Sequence, residues 1–225
     1  MLTIGHRGAK GYEPENTLLS FKKALDLGAT AIELDVHLCA SGELVVIHDF
    51  TVDRTTNGTG GVDQLTLTEI KALSVEGKTV VPTLEEVLDF VDRRCLVNIE
   101  LKGEHTAKAV TEVMAGYVNS KGWSYDDFLV SSFQKEELDT TFKLNPKIHL
   151  GVLTQASVGQ ALYAADKLAA KAIHPHYGLL TAENVKSAQK KGYKVFTWTV
   201  NEPAVIARIK SYGVDGIISD YPDRI

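Results

Sequence analysis

Short β-branched apolar runs alternate with helix-like apolar and polar patterns from one end of the chain to the other. The strand-like runs fall at 2–6, 31–36, 44–48, 96–101, 128–132, 149–153, 171–174, 194–200 and 216–219, and that rhythm predicts βα units around a parallel sheet. The helical stretches carry their own punctuation. Asn16 or Thr17 can cap a helix in which Leu18, Phe21 and Leu25 share one face and which Gly28 ends. Thr66 with Glu69, and Thr83 with Glu86, have capping-box spacing. Asn201 followed by Pro203 opens a helix that turns Val205, Ile206 and Ile209 inward and stops at Gly213.

Nine strand candidates are one more than an eight-stranded barrel needs. Residues 37–43 are too few for a parallel crossover, which takes roughly a dozen, so the second and third candidates form an antiparallel hairpin. With one arm of that hairpin as an extra strand, the other eight close a (β/α)8 TIM barrel, for which 225 residues is a usual length. A hairpin turning about Ala40 and Ser41 pairs residues whose numbers sum to about 81 and puts His48 opposite Glu33. Residues 50–81 lack a strong strand and are rich in Thr and Gly, which predicts a small cap insertion after the His48 strand. No linker interrupts the pattern, so 1–225 reads as one domain.

Composition narrows the partners. A net charge of −5 with 44% apolar residues describes an ordinary globule, and the acidic balance argues against nucleic acid, which demands a basic footprint. No run approaches the ~20 apolar residues of a bilayer span, no basic amphipathic helix is evident, and the stretch from Met1 to Gly8 does not read as a basic-then-apolar leader. Cys39 and Cys95 show neither metal-ligand spacing nor a disulfide framework. The expectation is a cytoplasmic protein without stable membrane association, a monomer or small homo-oligomer.

Strand periodicity makes the acidic residues informative. Glu33 and Asp35 stand at i and i+2, on one face of a segment that otherwise reads as a buried strand. Asn98, Glu100 and Lys102 repeat the arrangement opposite Val97, Ile99 and Leu101. Buried carboxylates must be paired or bound to metal. One reading is a salt-bridged barrel interior with Lys102 or Arg7 as partner; the other is a metal site, in which Glu33, Asp35 and Glu100 offer the hard oxygen donors that suit Mg²⁺ or Ca²⁺. Carboxylates, cations and a divalent ion together suit an anionic substrate such as a phosphate ester. His6 and His48 stand at strand ends, where one imidazole can accept a proton while the other donates one; His37, His105, His149, His174 and His176 read as structural. Gly8 either admits a ligand close to the backbone or makes a tight βα turn. Trp198 is either a wall of the barrel mouth or ordinary core.

The ordered set His6-Arg7-Gly8, Pro14-Glu15-Asn16-Thr17, Glu33-Leu34-Asp35-Val36, Val46-Ile47-His48-Asp49, Asp53-Arg54-Thr55-Thr56, Pro82-Thr83-Leu84-Glu85-Glu86, Asn98-Ile99-Glu100-Leu101-Lys102, Trp198-Thr199-Val200-Asn201 and Ser219-Asp220-Tyr221-Pro222 resembles the glycerophosphodiester phosphodiesterase family. Each motif alone is weak; their order and spacing over the whole chain are specific. Cys39-Ala40-Ser41-Gly42 departs from the family's usual turn after the second strand. The resemblance implies a (β/α)8 barrel with His6 and His48 as the acid/base pair, Glu33, Asp35 and Glu100 as ligands of Mg²⁺ or Ca²⁺, Arg7 and Lys102 on the phosphate, and Trp198 along the glycerol pocket. Asn16 reads as a helix cap. The implied reaction is hydrolysis of a small-molecule glycerophosphodiester to an alcohol and sn-glycerol 3-phosphate. A lysophospholipase D-type activity and a non-catalytic phosphate-sugar binding barrel are the rivals; the first calls for an apolar entrance, and the second is at odds with the presence of both histidines and all three carboxylates.

Overall fold

In the computed structural model, which describes residues 1–225, eight parallel strands close a barrel. They are β1 (Leu2–Gly5), β2 (Ala31–Leu38), β4 (Leu96–Leu101), β5 (Phe128–Ser132), β6 (Leu150–Thr154), β7 (Ala172–Pro175), β8 (Lys194–Thr197) and β9 (Gly216–Ser219). Each pairs with the next, and β1 joins β9 to β2 to complete the ring. The ninth strand, β3 (Leu44–Val46), is the extra hairpin arm and runs antiparallel to β2. Two strands share one edge of β2: β1 pairs with Ala31 and Ile32, and β3 takes over at Val36. The hairpin register sums to 82, not 81, and the ladder ends at Val46. His48 therefore lies beyond the sheet and faces no β2 residue in the ladder. A one-residue slip would have turned the strand's faces over.

The barrel wall follows the period-two pattern. Ile32, Leu34, Val36, Val97, Ile99 and Leu101 point outward into a core shared with Phe21 of α1 (Leu18–Asp26), Leu88 of α3 (Leu84–Val91) and Met114 of α4 (Thr106–Ser120). The inward residues Ile4, Ala31, Leu129, Ala172, Phe196 and Ile218 pack into an apolar plug inside the barrel. Residues 50–81 contain one 3₁₀ turn, Val62–Gln64, and the short α2 (Leu67–Lys71), held on a separate core of Val45, Ile47, Val52, Val62, Ile70, Val75 and Val81.

Helix starts match local chemistry. Thr17 accepts the Ser20 N–H at 3.2 Å, and both capping boxes, Thr66 with Glu69 and Thr83 with Glu86, are complete. α8 (Pro203–Ser211) opens at Pro203 as expected, and one cap expectation fails: Asn16 does not cap α1, a role that Thr17 takes. Asn16 turns to a buried carboxylate described below. Asn201 accepts from the Asp220 N–H and Ser219 Oγ, leaving Glu202 as an uncapped N-cap ahead of Pro203 in α8. β8 also ends at Thr197, short of 200.

His174 sits wholly inside the barrel, edge-on to Phe196 at 5.2 Å, and neither ring nitrogen has a hydrogen-bond partner in the protein. Burial lowers its pKa to about 3. Because the unfolded chain takes up this proton near pH 6.5 and the folded chain does not, stability is complete above that pH. It is lost progressively as the pH falls toward 3, by up to ~1.4 kcal/mol per unit. Urea titrations between pH 7 and pH 4 should show a flatter decline for His174→Leu than for the parent; equal slopes would refute this account.

Candidate active site

The sequence-predicted residues converge at the C-terminal ends of the barrel strands, where barrels of this kind place their chemistry. A cavity of about 100 Å³ is lined by His6, Arg7, Glu33, His48, Glu100, Lys102 and Trp198, joined by Asn98, Ser131 and Phe133. Asp35 does not line it. Only 1% exposed, it sits behind the cavity wall, yet its carboxylate belongs to a cluster with Glu33 and Glu100 in which one oxygen from each lies within 4.8 Å of the others. The β2–β4 register explains the convergence, since Glu33 pairs with Asn98 and Asp35 with Glu100.

Three carboxylates at this spacing face two cations. Lys102 Nζ donates to Glu100 Oε1 at 3.1 Å, and Arg7 Nε lies 3.3 Å from Asp35 Oδ2 without hydrogen-bond alignment. Both partners proposed for a salt-bridged interior are thus present, and they do not balance it, because Arg7 also gives Nη1 to Glu15 Oε1 at 2.7 Å. Desolvation, then repulsion from Asp35 and Glu100, holds Glu33 well above the usual carboxylate range, and desolvation with Asp35 raises Glu100 to about 7. Burying like charges side by side costs free energy unless a further positive charge joins them. Hard oxygen donors at this spacing suit a divalent cation.

Arg7 owes its position to an unusual backbone. It takes a left-handed conformation, φ 50°, followed by Gly8 at φ 84°. The turn aims the Arg7 N–H at Glu33 Oε2, 2.9 Å away. Gly8 proves to be the tight turn: a Cβ there would sit 2.4 Å from Ser20 Oγ of α1, so the residue faces a helix and not a ligand.

Each cavity histidine is anchored by an aspartate. His6 Nδ1 and Asp220 Oδ1 are 2.6 Å apart, as are His48 Nδ1 and Asp49 Oδ1. A carboxylate only accepts, so Nδ1 carries the proton and Nε2 is the free nitrogen of each neutral ring. Burial lowers both imidazole pKa values, against the opposing pull of the carboxylates. Asp49 is in turn gripped by Arg54, with Nε to Oδ2 at 2.6 Å, and Arg54 gives Nη1 and Nη2 to Glu15 at 3.0 and 2.7 Å. Although burial works against it, Arg54 and Arg7 hold Glu15 at about 2. One ion network thus runs from His48 to Arg7.

Sequence reasoning missed the roles of Asp220, Asp49, Glu15, Arg54 and Asn16. Asp220 is 214 residues from His6, and only closure of the barrel brings them together. Asp49 was adjacent to His48 in the sequence, but neighbours in extended chain point opposite ways; the chain has left the strand by then. Asn16, with φ 57°, donates Nδ2 to Asp35 Oδ2 at 2.9 Å, which overturns its reading as a helix cap. Trp198, just past β8, gives Nε1 to the His174 carbonyl at 2.7 Å and meets Phe133 edge-on at 5.5 Å, so it forms a fixed wall of the cavity.

Comparison with known proteins agrees with this geometry. The glycerophosphoryl diester phosphodiesterase family model matches residues 6–224. A glycerophosphodiester phosphodiesterase of Caldanaerobacter subterraneus subsp. tengcongensis is 39% identical, with the alignment covering 100% of this chain and 96% of the relative. Among solved structures, an Oleispira antarctica phosphodiesterase in complex with the product sn-glycerol-3-phosphate superposes with a TM-score of 0.90 at 30% identity, covering 99% of this chain and 94% of the other. The glycerophosphodiester phosphodiesterase of Agrobacterium tumefaciens gives a TM-score of 0.84 at 31% identity over 98% and 96% of the two chains. No helix is long and apolar enough to cross a membrane. Strand order, the site at the barrel mouth and these matches agree, and the chain belongs to the glycerophosphoryl diester phosphodiesterase family.

Proposed function

We propose that the protein hydrolyses small-molecule glycerophosphodiesters to an alcohol and sn-glycerol 3-phosphate, using His6 and His48 as an acid/base pair and a divalent cation, Mg²⁺ or Ca²⁺, at Glu33, Asp35 and Glu100. The observation that carries this reading is the pairing, in one cavity, of two aspartate-anchored imidazoles with a carboxylate cluster and two cations. When bound, the cation offsets the carboxylate charge and stabilises negative charge on the phosphoryl group. Cys39 and Cys95, both buried and unpaired, are in keeping with a reducing, cytoplasmic location. Residues 50–81 act as a small cap that delivers Arg54 to the rim.

Arg7 and Lys102 bind the phosphate oxygens as fixed positive charges; Arg7 is the more constrained, held by Glu15 and Asp35. Trp198 packs against the glycerol carbons. A glycerol headgroup places its own 2-hydroxyl beside phosphorus, and an intramolecular nucleophile that is well oriented gains up to ~7–11 kcal/mol. One imidazole enters neutral and its Nε2 takes the hydroxyl proton as the new P–O bond forms; the other enters as the imidazolium and gives its Nε2 proton to the alcohol oxygen as that P–O bond breaks. With roles exchanged, the same pair opens the cyclic glycerol phosphate with water and returns both protons. Two measurements test the scheme. Glycerophosphocholine should yield choline and glycerol 3-phosphate, and glycerol with phosphocholine would refute the proposed cleavage. Phosphorus NMR of the slower Lys102→Ala variant should show a transient cyclic phosphate; product rising with no such signal would point to direct attack by water.

A further inference from the structure

The floor of the catalytic cavity holds two polar groups that the proposed reaction does not use. Asn98 and Ser131 line the cavity and are 1% and 0% exposed, yet Asn98 Oδ1 and Ser131 Oγ have no hydrogen-bond partner in the protein. They stand on adjacent strands, Asn98 as the cross-strand partner of Glu33 and Ser131 as that of Glu100. No partner reaches them from below, where the apolar plug of Ile4, Leu129, Phe196 and Ile218 fills the barrel, and both nitrogens of the buried His174 are themselves unpaired. A buried polar atom left unpaired costs about as much as a lost hydrogen bond, so the missing partner comes from what the cavity binds.

Depth selects the part of the substrate that meets them. Inward side chains of β4 and the residue after it step from mouth to floor as Lys102, Glu100 and Asn98, each two residues, or ~6.6 Å of strand, below the last. Lys102 and Glu100 serve the phosphate and the cation. The end of the glycerol chain furthest from phosphorus, which carries the C1 hydroxyl, then falls at the level of Asn98. Asn98 Oδ1 only accepts, whereas Ser131 Oγ both donates and accepts. One hydroxyl satisfies both, donating to Asn98 and accepting from Ser131. An ester oxygen carries no proton and offers Asn98 nothing.

We propose that Asn98 and Ser131 bind the C1 hydroxyl of the glycerol half and so restrict the enzyme to diesters whose glycerol is unacylated at C1. The proposal rests on the reading that the cavity takes the glycerol phosphate half. A C1 ester would leave Asn98 without a donor and press its acyl chain against a floor closed by the plug.

The test measures kcat/KM in the metal-loaded enzyme for three substrates: glycerophosphocholine, the same diester with hydrogen in place of the C1 hydroxyl, and monomeric lysophosphatidylcholine acylated at C1. All three keep the 2-hydroxyl and the choline leaving group. The parent should prefer glycerophosphocholine to the deoxy diester by roughly 10–100-fold and should leave the lysolipid uncleaved. Ser131→Ala and, separately, the near-isosteric Asn98→Leu should bring the first ratio toward one, since each removes a group that recognises the hydroxyl; a merely structural role would slow both diesters alike. Thermal midpoints with and without Mg²⁺ or Ca²⁺ give a second readout. Both variants should keep the parent's gain from metal, and loss of that gain in Asn98→Leu would make Asn98 a metal ligand and overturn the assignment. Equal efficiency on the two diesters in the parent, a preference that survives both variants, or ready cleavage of the lysolipid also overturns it while leaving the phosphodiesterase reading intact. Failure of the parent to cleave glycerophosphocholine overturns that reading instead.

Discussion

Replacing either His6 or His48 by alanine is expected to lower kcat by roughly 10²–10⁴, the usual range for losing a proton-transfer group. The folded state should tolerate both changes. Neither ring belongs to an apolar core cluster, and each is held by a single aspartate. The double variant should lose less than the product of the single losses, because once one proton transfer is absent the other imidazole has little left to accelerate. His149→Ala supplies the comparison: its Nε2 lies 3.6 Å from the exposed Asp126, outside the cavity. Near-parent activity in His48→Ala, or an equal loss in His149→Ala, would remove His48 from the reaction.

Glu100→Ala is expected to abolish turnover, and excess EDTA should do the same to the parent, with activity restored by Mg²⁺ or Ca²⁺. The substitution removes one of three hard donors and frees Lys102 from its 3.1 Å partner. Stability offers a separate readout. In the metal-free protein, deleting one of three mutually repelling buried carboxylates relieves strain, so the thermal midpoint of Glu100→Ala should be no lower than that of the parent. With metal present, the parent alone should gain stability, since binding to the folded state shifts unfolding by mass action. Full activity in excess EDTA, or equal stabilisation of parent and variant by the metal, would refute the assignment.

The barrel itself was legible because its signals are local. Strand periodicity, two capping boxes and a connection too short for a crossover are each read within a dozen residues, and the backbone has few ways to satisfy them. The convergence of Glu33, Asp35 and Glu100 was legible for a related reason: residues at i and i+2 in adjacent parallel strands must share a face. The hairpin register and the position of His48 were less secure, since they depended on where the turn closed. That was a difference of one residue in the register sum.

What sequence by itself determined is the sheet, the helices around it and the types of side chain turned inward. Tertiary structure alone decided the partners. Asp220 meets His6 because the last strand of the barrel returns to the first. Arg54 reaches Glu15 across 39 residues because the segment after β3 folds back over the barrel mouth. Asn16 meets Asp35 because Thr17 already caps α1 and a buried carboxylate without a donor is costly. Secondary structure obeys short-range rules of geometry, whereas the pairing of buried charges is settled by desolvation, which exists only once the chain has closed around them.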